Sequence, residues 1–138
     1  MTAEKITVEA LVNVPLDTAW SCWTEPDHIT KWNFDSDDWC CPHASSDLKV
    51  GGQYVARMEA KDGSIGFDFE GMFGEVENLS AITLKMGDGR EARTTFEAVD
   101  QGTKITTVFD AEQENTIELQ RGGWQAILDN YKKHAESV

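Results

Sequence analysis

Residues 115–134 set the terms on which the rest of the chain can fold. Ile117, Trp124, Ile127, Leu128 and Tyr131 recur there at helical spacing, while Glu118, Gln120, Gln125, Asp129, Lys132 and Lys133 take the other side. Asn115 followed by Glu118 reads as a capping-box start. Lys132, Lys133 and His134 place positive charge in the last turn, where it suits the negative end of the helix dipole. The stretch predicts a helix roughly 30 Å long. A rod of that length can lie across a whole small sheet, and its apolar side needs such a surface to be buried. Gly122-Gly123 sits in its interior, each glycine costing about 1 kcal/mol relative to alanine. That pair implies a bend, or a place where backbone comes close to something else.

The upstream chain supplies the sheet. Residues 5–14 alternate, with Ile6, Val8, Ala10, Val12 and Val14 on one face. Pro15 ends that strand, and Leu16, Ala19, Trp20 and Trp23 predict a short helix over 16–23. Thr24 is placed to cap a second short helix that has Pro26 in its first turn and runs to about Trp32. Residues 33–46 have no period and carry Asp35, Asp37, Asp38, Trp39, Cys40, Cys41, Pro42 and His43, which predicts a lid or rim loop. A meander follows: a short strand at 47–50, Gly51-Gly52, a strand at 53–60 and a hairpin turn at Asp62-Gly63. Phe67, Phe69, Gly71 and Phe73 keep a period of two, with Gly71 and Gly74 suggesting a bulge. Strands at 82–86, 90–99 and 103–110 complete it, joined by turns at Asp88-Gly89 and Gln101-Gly102. The class expected is α+β: a curved antiparallel sheet of about seven strands, two short helices after the first strand, and one long C-terminal helix across the sheet. Without a repeat or linker, residues 1–138 read as a single domain.

Charge narrows the partners. Twelve Lys and Arg against 25 Asp and Glu give −13, the wrong sign for nucleic acid or an anionic membrane surface. No apolar run approaches the roughly 18 residues of a membrane span, and the N-terminus shows no signal-peptide segment. Three cysteines, two of them adjacent, suit a reducing cytoplasm better than a disulfide framework. The expectation is a cytoplasmic monomer or weak dimer.

Reactive groups are sparse. Cys40, Cys41 and His43 are close in sequence, but adjacent cysteines rarely chelate one zinc and no second ligand pair exists. Cys22 falls among apolar helix positions and reads as core, and His28 and His134 read as solvated or dipole-linked. No nucleophile–base motif stands out, and Asp68 and Glu70 oppose the Phe67 and Phe69 face. Neither a catalytic set, a metal nor a cofactor is expected.

The inward candidates are large and mixed, and each reads either as plain core or as cavity wall. The Gly122-Gly123 pair, which would open space under the helix, and the four of five tryptophans that fall between positions 20 and 39 favour a cavity between sheet and helix. The candidates are Trp20, Trp32, Phe34, Trp39, Tyr54, Met58, Phe69, Met86, Phe96, Trp124, Leu128 and Tyr131. All but Trp20 are candidate ligand-binding residues, with 33–46 as the gate.

The ordered set Val14-Pro15, Ala19-Trp20, Trp23, Pro26, Trp32, Asp38-Trp39, the run 47–52, Asp62-Gly63, the run 66–71, Asp88-Gly89-Arg90, Gly102-Thr103 and the run 123–128 spans nearly the whole chain. It resembles the helix-grip fold of the Bet v 1 and START superfamily. Within that superfamily it is similar to the branch of the Hsp90 ATPase activator's C-terminal domain and of the calicheamicin self-resistance protein. The resemblance implies binding of a small hydrophobic molecule (lipid, polyketide or aromatic metabolite) by a carrier, sensor or protective protein. Two alternatives share the architecture: a module that contacts a chaperone or another protein, and a cyclase-type enzyme using the same cavity.

Overall fold

The computed structural model describes residues 4–34, 36–87 and 89–138, and expectations placed on residues 1–3, Asp35 and Asp88 lie outside them. The elements are β1 (Lys5–Val12), α1 (Leu16–Thr24), α2 (Pro26–Ile29), β2 (Trp39–Ser46), β3 (Gln53–Ala60), β4 (Gly66–Glu77), β5 (Ala81–Met86), β6 (Glu91–Val99), β7 (Gly102–Asp110) and α3 (Ile117–Ser137). The strands form one sheet in the order β1-β7-β6-β5-β4-β3-β2, with every neighbouring pair antiparallel. This is the seven-stranded α+β helix-grip architecture that the sequence predicts.

Alternation explains the first edge. Ile6, Val8 and Val12 are buried and stand opposite Phe109, Thr107 and Thr103 of β7. Cross-strand pairs on one face are the unit of such packing. At the far edge the structure corrects the sequence reading. Residues 39–46 are strand β2, paired with β3, and not part of a loop. Pro42 falls where the register shifts between Cys40 and His43. A proline is tolerated there because an edge strand or bulge does not need its missing N–H.

The short strand expected at 47–50 is instead the turn from β2 to β3. Asp47 N–H donates to the Gln53 carbonyl and Gly52 N–H to the Lys49 carbonyl. Gly51 takes φ +83°, and a Cβ on Gly52 would lie 1.9 Å from the Asp47 carbonyl oxygen, so the turn demands both glycines. The bulge expected in the long strand is present, with the β4–β5 register shifting between Phe73 and Glu75.

The helix ends also differ from expectation. Thr24 closes α1, its hydroxyl donating to the Trp20 carbonyl at 2.9 Å, and Glu25 is the N-cap of α2. The second helix ends at Ile29, short of Trp32. Thr116, not Asn115, caps α3, its Oγ1 accepting from Leu119 N–H at 3.1 Å. Asn115 has turned to the Glu112 carboxylate. Buried Gln120 accepts from Glu112 N–H and donates to the Asn115 carbonyl, tying the β7–α3 connection to the first helical turn.

Helix α3 is unbroken through Gly122-Gly123. Trp124 stacks on Phe109 of β7 with ring centroids 3.9 Å apart and planes 10° from parallel. Nearer its C-terminus the helix meets α1, where Tyr131 Oη donates to the Ala19 carbonyl at 2.6 Å. His28 and His134 stand in the last turns of α2 and α3, as the dipole-linked reading has it, but they are not solvated. They are half-buried, and His28 Nδ1 lies 2.8 Å from His134 Nε2. Desolvation first, then His28 and Lys31, hold His134 below the ordinary imidazole range.

Candidate ligand cavity

A cavity of about 440 Å³ lies between the sheet and α3, within the range of small-molecule sites. Its floor is the inward face of the sheet. Tyr54 and Met58 come from β3, Phe67, Phe69 and Phe73 from β4, and Ile82 and Leu84 from β5. A period of two is what brings the three phenylalanines to one face. The roof is one side of α3, where Leu119, Gly123, Ile127 and the neighbouring Trp124 and Leu128 follow helical spacing. Trp23, Trp32, Asn33 and Phe34 close one end, and Trp39, Ser46 and Leu48 bring in the β2 edge.

The aromatic walls are held from behind. Trp32 Nε1 donates to the Cys22 carbonyl at 2.8 Å. Trp23 lies 4.9 Å from Trp32 and 5.0 Å from Tyr131, centroid to centroid. Side chains fixed in this way cannot collapse into the space cheaply, because moving them would break buried contacts. The cavity reaches the surface beside Phe67, 47% exposed, and Leu119, 63% exposed.

Polar groups are few. Tyr54 Oη accepts from Asn33 Nδ2 at 3.0 Å, which leaves its own O–H to offer to an occupant. Burial, and secondarily Cys41, push the Tyr54 hydroxyl above the ordinary phenol range, so it stays neutral. Thr94 and Thr107 satisfy each other at 2.8 Å between hydroxyls. Ser46 Oγ is buried without a hydrogen-bond partner among the described residues. A buried unpartnered hydroxyl costs about 1–3 kcal/mol, a cost that an occupant with a polar atom there would offset. Among the described residues the lining has no carboxylate, histidine, lysine or arginine. Cys41 lies near but outside it, and desolvation pushes its thiol up to about 11. Asp68 and Glu70 are exposed, as their alternation predicts, and Arg57 pairs with Glu59 and Asp68.

Of the eleven residues predicted from sequence, the structure brings Trp32, Phe34, Trp39, Tyr54, Met58, Phe69, Trp124 and Leu128 to this one cavity. Met86, Phe96 and Tyr131 are elsewhere, in the packed core. Phe96 is covered by α1, its ring 5.1 Å from Trp20 and 6.0 Å from Trp23. Tyr131 is spent on α1, and Met86 stands opposite Gly71 in the β4–β5 ladder. Periodicity tells which face is inward, but not which helix covers which part of the sheet. Phe67, Phe73 and Ile127 were missed although they share a face with predicted residues. Ser46 gave no signal, being a polar residue in a stretch read as loop. The gate expected over 33–46 is corrected to a short connection ahead of an edge strand.

The family model described as "Activator of Hsp90 ATPase homolog 1-like protein" matches residues 13–136. The solution structure of the AHSA1-like protein from Aeromonas hydrophila is 42% identical, with TM-score 0.92, over 97% of this chain and 93% of that one. Chr148 from Cytophaga hutchinsonii is 44% identical, with TM-score 0.82, over 96% and 92%. Protein NE0264 from Nitrosomonas europaea, 18% identical with TM-score 0.82 over 96% and 94%, shares the fold. No curated protein matches the chain. No helix among the described residues is long and apolar enough to cross a membrane. With a model match over most of its length and two relatives above 40% identity, the chain belongs to the Activator of Hsp90 ATPase homolog 1-like protein family.

Proposed function

We propose that the chain binds one small, uncharged, largely apolar molecule in the cavity between sheet and α3, as a carrier, sensor or protective protein. The observation that carries this reading is a space of about 440 Å³ walled by aromatics and holding one unpartnered hydroxyl, Ser46 Oγ. Flat aromatic or lipid-like ligands suit such walls, since ring faces and CH₂ groups gain about 25 cal/mol for each Å² removed from water. An acceptor or donor on the ligand would meet Ser46 and Tyr54. A charged ligand is disfavoured, because nothing among the described lining residues would neutralise it. Acid–base catalysis of the cyclase kind would have only the neutral Tyr54 to work with.

The test is a heteronuclear NMR titration of the full chain against flavonoids, fatty acids, polyketides and sterols. Shifts should cluster on Trp39, Tyr54, Ser46 and Trp124. Ser46→Ala should weaken the best ligand several-fold, about the worth of one hydrogen bond at 0.5–1.5 kcal/mol, and raise the melting temperature of the ligand-free protein, because it removes a buried hydroxyl without a partner among the described residues. Ile127→Trp, which fills the cavity from α3, should abolish binding. Shifts that scatter over the surface, or a hit that binds both variants like the parent, would end this reading.

A further inference from the structure

We propose that Cys22, His28 and His134 form a binding site for one Zn²⁺ ion, which clamps α3 to the two short helices. The site is separate from the cavity, as none of the three residues lines it. Each comes from a different element: Cys22 from α1, His28 from α2 and His134 from α3. Their ligand atoms all lie within 4.8 Å of one another, with His28 Nδ1 and His134 Nε2 only 2.8 Å apart.

Geometry and donor chemistry agree on the ion. One thiolate and two imidazoles are a borderline-soft set that suits zinc and is unsuited to calcium or magnesium, which take oxygen ligands. Zinc bonds of about 2.0–2.1 Å to nitrogen and 2.3 Å to sulfur, arranged tetrahedrally, put ligand atoms about 3.3–3.6 Å apart. The imidazole nitrogens must therefore separate by about half an ångström to admit the ion, and a sulfur at the far limit must approach by about one. Both rings are half-buried, while Cys22 is held in the core, so the adjustment falls to the two imidazoles. Two imidazoles that meet nitrogen to nitrogen need at least one neutral ring, because two imidazoliums offer each other no acceptor. A neutral imidazole is the form that coordinates metal.

Three protein ligands leave the fourth tetrahedral position to water. Zinc is redox-inert, so uptake involves protons alone. The Cys22 thiol proton leaves to solvent, and the hydrogen held between the rings moves to the remote nitrogen of the ring that carried it. Two neutral imidazoles and one thiolate then leave the site with charge +1.

The consequence is a cross-link behind the cavity wall. Cys22 adjoins Trp23, and its carbonyl holds Trp32, so an ion fixed there stiffens two residues of the cavity's end. Among the described residues, Cys40, Cys41 and His43 make no comparable cluster.

Co²⁺ titration of the reduced full chain tests this. One ion per chain should bind with the intense visible absorption of tetrahedral cobalt and a thiolate-to-cobalt charge-transfer band, and Zn²⁺ should displace it. His28→Ala and His134→Ala should each weaken the ion at least about tenfold, the smallest loss seen even for outer-shell groups. Cys22→Ser should remove the charge-transfer band, and His43→Ala should change nothing. Zinc should raise the melting temperature of the parent but not of His134→Ala, whose half-exposed position keeps the metal-free fold intact. Absence of a tetrahedral spectrum at millimolar Co²⁺, or a spectrum that survives in the His28→Ala/His134→Ala double variant, overturns the site.

Discussion

At the scale of single residues, the cavity and the core compete for the same large side chains, and hydrogen bonds show which side won. Tyr131 was a candidate for the cavity wall, yet it is fully buried and its hydroxyl donates to the Ala19 carbonyl. Tyr131→Phe should therefore cost about 1–2 kcal/mol in urea unfolding, the worth of a buried hydrogen bond whose acceptor is left behind. It should leave ligand affinity unchanged, and a weakened ligand would mean that this ring belongs to the binding wall after all. Thr116 makes the complementary case at the helix start, where its hydroxyl satisfies Leu119 N–H. Thr116→Ala should cost about 1 kcal/mol by the same measurement, as N-cap losses do, and Asn115→Ala should cost much less. The sequence named Asn115 because both residue types cap helices well, and Gln120, whose side chain decides the matter by holding the Asn115 carbonyl, is invisible to local pattern.

At the scale of elements, strands with clean alternation were legible and strands without it were not. β1, β3, β4, β5, β6 and β7 follow the periods read from their residues, whereas β2 has Pro42 and adjacent cysteines and gave no period. Seven strands were expected and seven are present, but one of those expected is a turn and one present was expected to be a loop. An edge strand buries little and needs hydrogen bonds on one side alone, so its sequence is only weakly constrained. Helix α3 was legible because a long amphipathic pattern is hard to mistake. Its two glycines turn out to be unlike each other. Gly123 lines the cavity, while a Cβ on Gly122 would meet nothing within 4 Å. Gly122→Ala should stabilise the protein by about 0.5–1 kcal/mol through helix propensity alone, seen as a higher denaturation midpoint at constant slope.

At the scale of the whole molecule, charge sets the response to solvent. Thirteen acidic groups in excess repel one another across a small surface, whereas exposed ion pairs are individually worth little. Repulsion therefore wins, and the melting temperature at neutral pH should rise as salt increases from about 10 mM to 0.5 M, over which the screening length falls several-fold. Acid acts through particular carboxylates. Asp110 is held below the usual range chiefly by Lys5 and then by Glu91 N–H, and Glu75 by Arg93 and then Thr83. Groups depressed in the folded state contribute fully above the ordinary carboxylate value near 4, and lose that contribution as pH falls through their lower folded values. Melting followed from pH 7 downward should show this part of stability disappearing below about pH 4. Lys5→Ala should shrink that acid-sensitive portion. The Lys5–Asp110 pair also marks how the sheet is completed, for its partners are 105 residues apart and join the first strand to the last. Pairings so distant in sequence are slow to find, because most of the intervening loop must be ordered first. On the ribosome β1 must wait without a strand partner, its apolar face uncovered, until β7 and then α3 emerge. The cavity thus has no roof until α3 arrives, and a nascent chain stalled before that helix would present its aromatic floor to chaperones.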